Sequence, residues 1–289
     1  MAMHTEPRLT DMGYIRSLLE RHGFRFSKKL GQNFLINPSV CPRMAEACGC
    51  TPETGVLEIG PGFGVLTREL SLRAGKVVAI ELDDRLLPVL AETLAGRDNV
   101  EIVSGDCMKL NLAELLRDRF GDRPVAVCAN LPYYITTPAV SALIDSGCFD
   151  TITVMVQKEV AQRMCAAAGS SDYGAFTPYI AYHCHPQLVL EVGRECFIPS
   201  PKVDSAVVRM DMYDNPPAEV KDEKMLFRVI KAAFAQRRKT LLNCLSMAFP
   251  EKGKEGVRAA MEACGISPSC RGETLDISQF ARLADEFSK

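Results

Sequence analysis

An apolar strand runs into a glycine-rich turn at Val56-Leu57-Glu58-Ile59-Gly60-Pro61-Gly62-Phe63-Gly64. Glycines at the carboxyl end of a strand leave room for a nucleotide-like ligand beside the backbone of an open α/β sheet. The dinucleotide pattern G-x-G-x-x-G fits in neither frame. Its last position falls on Val65 when counted from Gly60, and on Thr67 when counted from Gly62. The turn therefore predicts an α/β fold but argues against a dinucleotide.

Two side chains of this turn disfavour a phosphate. Pro61 removes a backbone donor that a pyrophosphate would need. Glu58 would repel a phosphate but would tolerate a cation. The pattern resembles the E-x-G-x-G-x-G turn of S-adenosylmethionine-dependent methyltransferases, whose cofactor carries a sulfonium and an ammonium and no phosphate.

Composition limits the class of protein. The 289 residues suffice for one large domain and one small domain. Apolar residues make up 47% and charged residues 24% of the chain, as in ordinary globular proteins. Because the formal net charge is only −2, any surface that binds nucleic acid must be a local cluster of basic residues.

The cysteines indicate reduced thiols. There are 12 of them but no C-x-x-C pair and no signal-peptide pattern, so we expect a cytoplasmic protein. Neither Cys48-Gly49-Cys50 nor His183-Cys184-His185 has a second pair at zinc-finger spacing, and we expect no metal. No apolar run approaches the roughly 20 residues that cross a bilayer, so we expect no membrane contact.

Short apolar runs alternate with amphipathic segments from Gly55 onward, which is typical of a mostly parallel sheet. The last two runs are joined without a long helix, which indicates an antiparallel final strand. We expect a Rossmann-like, seven-stranded methyltransferase sheet, and helices from Pro38 to Ala47 and between the strands. The predicted strands are 55–59, 76–80, 100–104, 124–129, 151–157, 187–192 and 205–212.

Asp214-Asn215-Pro216-Pro217 interrupts this pattern, because two prolines fit neither a helix interior nor a central strand. Beyond it, apolar residues recur at helical spacing and no strand-like run follows. We therefore expect a methyltransferase domain at residues 1–214 and a small all-helical domain at residues 215–289.

Two basic segments are candidates for RNA contact. The N-terminal arm places Arg25, Lys28 and Lys29 beside Phe24 and Phe26. Such a mixture suits phosphates and bases, although a solvated helix face followed by a loop would look the same.

The second basic segment, Met225–Lys239, contains no acid and ends in Arg237, Arg238 and Lys239. We expect a helix with one strongly positive face there. A solvated helix face without a partner remains the alternative.

Acidic residues follow two of the predicted strands. Glu81 comes after the second strand, where a carboxylate can accept from ribose hydroxyls, as in NAD enzymes too. Asp106 follows the third strand and can accept from an adenine amine. Either acid could equally be a helix cap.

The fourth strand ends in Asn130-Leu131-Pro132-Tyr133, a tetrapeptide that resembles the motif of methyltransferases acting on the exocyclic amine of adenine. That amine is a poor nucleophile because its lone pair is delocalised into the ring. The Asn130 side chain and the Leu131 carbonyl can accept its hydrogens, and Tyr133 can stack on a flipped base. Phe197, in the proline-rich loop before the last strand, is predicted to form the second wall around that base.

Together these motifs resemble the ribosomal RNA adenine N6-dimethyltransferase family, and within it the bacterial small-subunit branch. The likeness runs from about Phe26 to Leu242. It implies the cofactor S-adenosylmethionine, held by Gly60 and Gly62 of the glycine turn and by five further positions of the family's motifs: Asn33, Leu35, Glu81, Asp106 and Asn130. Ser200 departs from the family pattern, which usually has another proline there.

The resemblance implies dimethylation of two adjacent adenosines near the 3′ end of small-subunit rRNA, by a monomer acting on a pre-ribosomal small subunit during ribosome biogenesis. The large-subunit enzymes that confer macrolide resistance share the cofactor turn and the Asn130–Tyr133 motif. The loop before the last strand and the basic C-terminal segment favour the small-subunit branch. A factor that chiefly binds rRNA during assembly is an alternative of another class, and an NAD oxidoreductase would leave the Asn130–Tyr133 motif unexplained.

Overall fold

A computed structural model describes residues 7–27, 31–236 and 238–289. Two sheets occur in these ranges, and the larger has seven strands. The strands are β1 (Phe34–Leu35), β2 (Gly55–Ile59), β3 (Lys76–Glu81), β4 (Val100–Ser104), β5 (Val125–Asn130), β6 (Thr151–Gln157), β7 (Cys184–Val192), β8 (Phe197–Ile198) and β9 (Ser205–Met212).

The large sheet has the order β4-β3-β2-β5-β6-β9-β7. Neighbouring strands from β4 to β6 are parallel, and β9 runs antiparallel to β6. The central strand β2 is buried at every position, since helices cover both faces of such a sheet. The predicted fold class is confirmed, and the predicted strands lie within three residues of the observed ones.

The helices cover the sheet and form the carboxyl-terminal part of the chain. The helix predicted from Pro38 to Ala47 begins two residues later, at Val40, and ends one residue later, at Cys48. The helices are α1 (Met12–Arg21), α2 (Val40–Cys48), α3 (Val65–Ser71), α4 (Leu87–Thr93), α5 (Leu112–Phe120), α6 (Thr136–Asp145), α7 (Lys158–Met164), α8 (Phe176–His183), α9 (Glu223–Ala233), α10 (Leu241–Ala248), α11 (Gly253–Ala263) and α12 (Ile277–Phe287).

The segment before α2 is fastened to the glycine turn by aromatic packing. The rings of Phe34 and Phe63 stack with centroids 4.0 Å apart, and Phe24 meets Phe63 edge-on at 6.0 Å. Phe24 and Phe34 are buried in the same core cluster. Phe24 therefore stabilises the fold and does not present its ring to RNA bases.

Contacts between residues divide the chain into two units. One contains the chain up to Ala161 together with Gln187–Asp211, and the other contains Gln162–Pro186 and Met212–Lys289. The predicted boundary at residue 214 lies close to the last of the three crossings between the units, which falls between Asp211 and Met212. The segment 162–186 differs from the sequence-based division, which placed it in the methyltransferase domain.

The reason is long-range packing within the second unit. Tyr173 and Tyr182 are buried in the core that α9 to α12 form, and the Tyr173 hydroxyl donates to the Leu275 carbonyl at 2.8 Å. Those partners are 102 residues apart in the sequence, so local periodicity could not reveal the pairing.

The basic helix predicted up to Lys239 is shorter than expected. Helix α9 ends at Ala233, where Gly272 packs against its last turn. Arg238 and Lys239 lie in the turn before Thr240, whose side chain caps α10 by accepting from the Asn243 amide. These two residues are thus on a loop and not on a helix face.

None of the helices in the described ranges combines the length and apolar character that a bilayer-spanning segment requires. Within the same ranges, His, Cys, Asp and Glu side chains form no group of three that could hold a metal ion. None of the twelve cysteines, all of which lie in the described ranges, forms a disulfide bond.

Candidate active site

A cavity of about 230 Å³ lies at the carboxyl ends of β2, β3, β4 and β5 in the first unit. Parallel strands bring these ends to one edge of the sheet, which is where open α/β folds bind ligands. Residues 31–35 line it as well. Nine of the predicted cofactor and catalytic residues line the cavity: Asn33, Leu35, Gly60, Gly62, Glu81, Asp106, Asn130, Leu131 and Tyr133.

The glycine turn leaves space on the cavity side. Gly60 has a φ of +70°, and a Cβ built on it would meet no atom within 4 Å. Gly62 has a φ of +60°, and a Cβ there would lie 2.9 Å from the Phe34 ring. Gly60 therefore lets a ligand approach the backbone, whereas Gly62 lets the N-terminal segment approach it.

Glu58 is a buried acid with an unsatisfied oxygen. Only 1% of the residue is exposed, and its Oε2 has no hydrogen-bond partner among the residues that the structure describes. The buried Thr67 hydroxyl lies nearby but outside hydrogen-bonding geometry. Burial raises the pKa of Glu58 to about 8, with a further contribution from Glu81.

Glu81 is held in place by backbone donors. The Asp83 amide donates to Oε1 at 2.8 Å, and the Gly62 amide donates to Oε2 at 3.4 Å. Burial raises the pKa of Glu81, and these donors offset part of the rise. The carboxylate is therefore oriented and keeps further lone pairs for ligand hydroxyls.

Asp106 lies in a more open environment. It accepts from the Met108 amide at 3.0 Å and pairs with Lys109 at 3.2 Å. These donors lower the pKa of Asp106, with the Met108 amide first. Asp106 is thus ionised at neutral pH and can accept from a ligand amine.

Gln32 forms a link that sequence reasoning missed. Its Nε2 donates to Asp83 Oδ2 at 2.8 Å, and its Oε1 accepts from the Ser27 amide at 2.8 Å. Asp83 also receives two bonds from the Arg85 side chain, at 2.8 and 2.6 Å. This network ties the segment before β1 to the end of β3, and the amide-rich composition around Gln32 was its only sequence signal.

Asn130 is oriented by the same segment. Its Nδ2 donates to the Asn33 carbonyl at 3.3 Å. Because that carbonyl can only accept, the amide nitrogen must face it, and Oδ1 is left for a substrate amine. The Leu131 amide donates to the Met155 carbonyl at 3.1 Å, which fixes the start of the turn.

Tyr133 is fixed at its far end by a bond between its hydroxyl and Ser205 Oγ, 2.6 Å apart. Burial raises the pKa of Tyr133, so the hydroxyl is neutral at ordinary pH. The ring lines the cavity in a set position, as stacking on a planar base requires.

Phe197 is not where the sequence predicted it. The prediction put its ring at the wall of the base pocket, but the residue is 3% exposed, belongs to the core and is absent from the cavity lining. The physical reason is the pairing of β8 with β1, which sets Phe197 opposite Leu35 and turns its side chain inward.

The predicted RNA contacts are exposed where the structure describes them. Arg25, Arg238 and Lys239 all reach solvent. Lys28, Lys29 and Arg237 lie outside the described residues. Arg228, another member of the basic segment, is already engaged by Glu251 at 3.4 Å and by the face of Phe249 at 4.2 Å.

A profile of the ribosomal RNA adenine dimethylase family matches residues 23–289. The chain belongs to this family. A relative from Alkaliphilus metalliredigens, a ribosomal RNA small subunit methyltransferase A, is 44% identical over 272 residues, which are 94% of this chain and 95% of that protein. Family membership also accounts for the order of the motifs along the sheet edge.

Two solved structures share the fold. A dimethyladenosine transferase from Plasmodium falciparum aligns with a TM-score of 0.73 and 27% identity, covering 88% of this chain and 97% of that chain. The 23S rRNA methyltransferase ErmE aligns with a TM-score of 0.69 and 28% identity, covering 89% and 100%. Methyltransferases of this family use S-adenosylmethionine.

The cavity fits that cofactor on three observations. Gly60 leaves open space beside the backbone, the unsatisfied Glu58 oxygen is an acceptor near the turn, and oriented carboxylates follow β3 and β4. A ligand with an ammonium, ribose hydroxyls and an adenine amine supplies donors for these acceptors. No basic side chain is among the described residues that line the cavity, as suits a cofactor without phosphate.

The buried Glu58 predicts a pH effect on stability. Its pKa is raised on folding, so between about pH 5 and pH 8 the folded protein holds a proton that the unfolded chain has released, and stability falls as pH rises. Glu58→Gln removes this dependence. Relative to the unsubstituted protein, the variant should gain about 1.4 kcal/mol per pH unit across that window, measured by urea unfolding without cofactor.

Glu53→Gln is the matched control, because Glu53 is exposed and its pKa is lowered, chiefly by the Thr51 hydroxyl. It should show no such gain. If the free energy of unfolding changed with pH in the same way in Glu58→Gln and in the unsubstituted protein, Glu58 would ionise normally in the fold.

Proposed function

We propose that the protein transfers methyl groups from S-adenosylmethionine to N6 of two adjacent adenosines near the 3′ end of small-subunit rRNA. The observation that carries this is the Asn130–Tyr133 turn at the cavity, with the Asn130 amide oriented by the Asn33 carbonyl. The small-subunit relative is 44% identical over nearly its whole length, against 28% for the 23S enzyme.

The chain's residues make the adenine amine reactive by orienting it. S-adenosylmethionine supplies an electrophilic methyl group on a positively charged sulfur. Asn130 Oδ1 and the Leu131 carbonyl accept the two N6 hydrogens, which draws the amine toward a tetrahedral geometry and frees its lone pair. Tyr133 stacks on the base and holds N6 in line with the methyl group. The proton leaves after transfer, so no strong general base is needed.

The cofactor roles follow from the donors and acceptors described above. Glu81 would accept from the ribose hydroxyls of the cofactor, Asp106 would accept from its adenine amine, and the backbone at Gly60 and Gly62 would hold the methionine portion. Asn33 and Leu35, beside the glycine turn, complete the binding site. The unsatisfied Glu58 oxygen supports a hydrogen-bond donor of the cofactor at the same end.

Each unit carries exposed basic residues that suit contact with RNA. Arg25 in the first unit and Arg238 and Lys239 in the second are available for phosphates. Lys28, Lys29 and Arg237 belong to the same two segments. We place the protein in the cytoplasm, acting as a monomer on a pre-ribosomal small subunit.

The substrate is tested by incubating the protein with labelled S-adenosylmethionine and unmodified small or large ribosomal subunits. Label should appear in small-subunit rRNA, at two neighbouring adenosines near its 3′ end, by primer-extension mapping. Label in large-subunit RNA would instead identify the 23S type of activity. RNA binding without label in either subunit would favour an assembly factor.

Asn130→Ala should abolish transfer while sparing RNA binding, because the variant lacks the acceptor that orients N6 but keeps every basic side chain. We expect kcat to fall about 100-fold or more. Asn33→Ala is the informative comparison. It keeps the backbone carbonyl that orients Asn130 and removes only the side chain, so KM for S-adenosylmethionine should rise more than kcat falls. An equal decrease of RNA binding and transfer in Asn130→Ala would make Asn130 a structural residue.

Replacing both Arg238 and Lys239 by alanine should flatten the salt dependence of RNA binding. The slope of log K against log salt should fall by about 0.7 to 0.9 for each RNA phosphate that the variant no longer neutralises. Lys254→Ala, which removes an exposed positive charge from α11, is the control and should leave the slope unchanged. An unchanged slope in the double variant would mean that these residues lie on a solvated loop that does not contact RNA.

A further inference from the structure

Tyr134 has an exposed aromatic ring at the rim of the cavity. It follows Tyr133 in the three-residue 3-10 turn Tyr133–Ile135 and lines the cavity, yet 55% of it is exposed. Two other well-exposed apolar side chains, Leu82 and Met108, line the same cavity. Large apolar side chains that gather around a site entrance mark a surface that a partner covers.

The backbone around the cavity supports the ring from below. A Cβ on Gly31 would lie 3.1 Å from Tyr134 Cδ1, so the ring rests directly against the Gly31 backbone, and Pro132 lies on the same side. Burial raises the pKa of Tyr134, with smaller contributions from Asp106 and Cys107, so the hydroxyl is neutral at ordinary pH. The ring is supported along one side and open on the other.

The neighbouring tyrosine has a different task. Tyr133 is tied to Ser205 and is half-buried, so its ring faces the interior of the cavity. Of these two consecutive aromatic rings, the first lies inside the cavity and the second lies at its rim. A base that enters the cavity meets Tyr133, and the chain that delivers this base must pass the rim where Tyr134 stands.

We propose that Tyr134 stacks on the base of the nucleotide next to the reacting adenosine. This inference rests on the proposed function. When one adenosine is swung into the cavity, its neighbour is left without a stacking partner, and this costs free energy. An exposed, supported tyrosine at the rim restores the stack, as aromatic side chains do for single-stranded RNA.

Kinetics of three substitutions test this role. Tyr134→Ala should raise KM for unmodified small subunits by about 5-fold to about 100-fold, the worth of one base stack, and leave KM for S-adenosylmethionine unchanged. Tyr134→Phe keeps the aromatic face and should behave as the unsubstituted protein. Tyr134→Leu keeps the apolar packing on Gly31 without that face, and should resemble the alanine variant.

Tyr213→Ala is the matched control, because Tyr213 is 40% exposed and lies outside the cavity lining. It should leave both KM values unchanged. Calorimetric binding of S-adenosylmethionine to each variant checks that the site is folded.

A fluorescence measurement reports the stack itself. In a synthetic hairpin RNA of the small-subunit 3′ end, 2-aminopurine replaces one of the two adjacent adenosines. This base has no N6 amine, so the adenosine beside it is the one that can react. The fluorescence of 2-aminopurine should be quenched when the RNA binds the unsubstituted protein or Tyr134→Phe. The quenching should be much smaller with Tyr134→Ala or Tyr134→Leu.

Several outcomes overturn the inference. A rise in KM for S-adenosylmethionine alone would place Tyr134 in the cofactor site. Unchanged KM values and equal quenching would leave the ring without a role in RNA binding. If the unsubstituted protein does not label small-subunit RNA, the proposed function is wrong. If it does label that RNA and Tyr134→Ala has the same KM values, only the stacking inference is wrong.

Discussion

The stacked rings of Phe34 and Phe63 join the glycine turn to the segment before α2, and both of these line the cavity. Phe63 belongs to the glycine turn after β2, and Phe34 belongs to the segment before α2, so their stacking at 4.0 Å fastens that segment beside the sheet edge. Gly62 permits the approach because a side chain there would strike Phe34. From this anchor, Asn33 reaches Asn130 and Gln32 reaches Asp83.

Electrostatics divide the acids of the cavity into two kinds. Glu58 is buried with an unsatisfied oxygen, and its raised pKa reflects the free energy needed to ionise it there. Asp106 is surrounded by donors at the open side and stays ionised. A cofactor that offers hydrogen-bond donors at both ends fits this arrangement of acceptors, and a phosphate-bearing dinucleotide does not. The destabilisation at Glu58 is of the kind expected at a functional site.

The acceptor end of the site depends on geometry more than on acid or base chemistry. Asn130 and Leu131 are both held by backbone groups distant in sequence, Asn33 and Met155. The two following tyrosines differ in exposure although they are adjacent, because the 3-10 turn directs one ring inward and leaves the other at the rim. The structure thus supports one base inside the cavity and offers a surface for a second.

Much of this protein could be predicted from local sequence. The apolar runs marked the strands of the sheet, and the residues that follow them, Gly60, Glu81, Asp106 and Asn130, meet at one edge because parallel strands end there together. Tertiary structure alone decided the rest. The inward turn of Phe197, the bond between Asn33 and Asn130, and the return of residues 162–186 to the helical unit all depend on partners far away in the chain. Periodicity indicates only which face of an element is apolar, whereas these features depend on which distant surface covers that face.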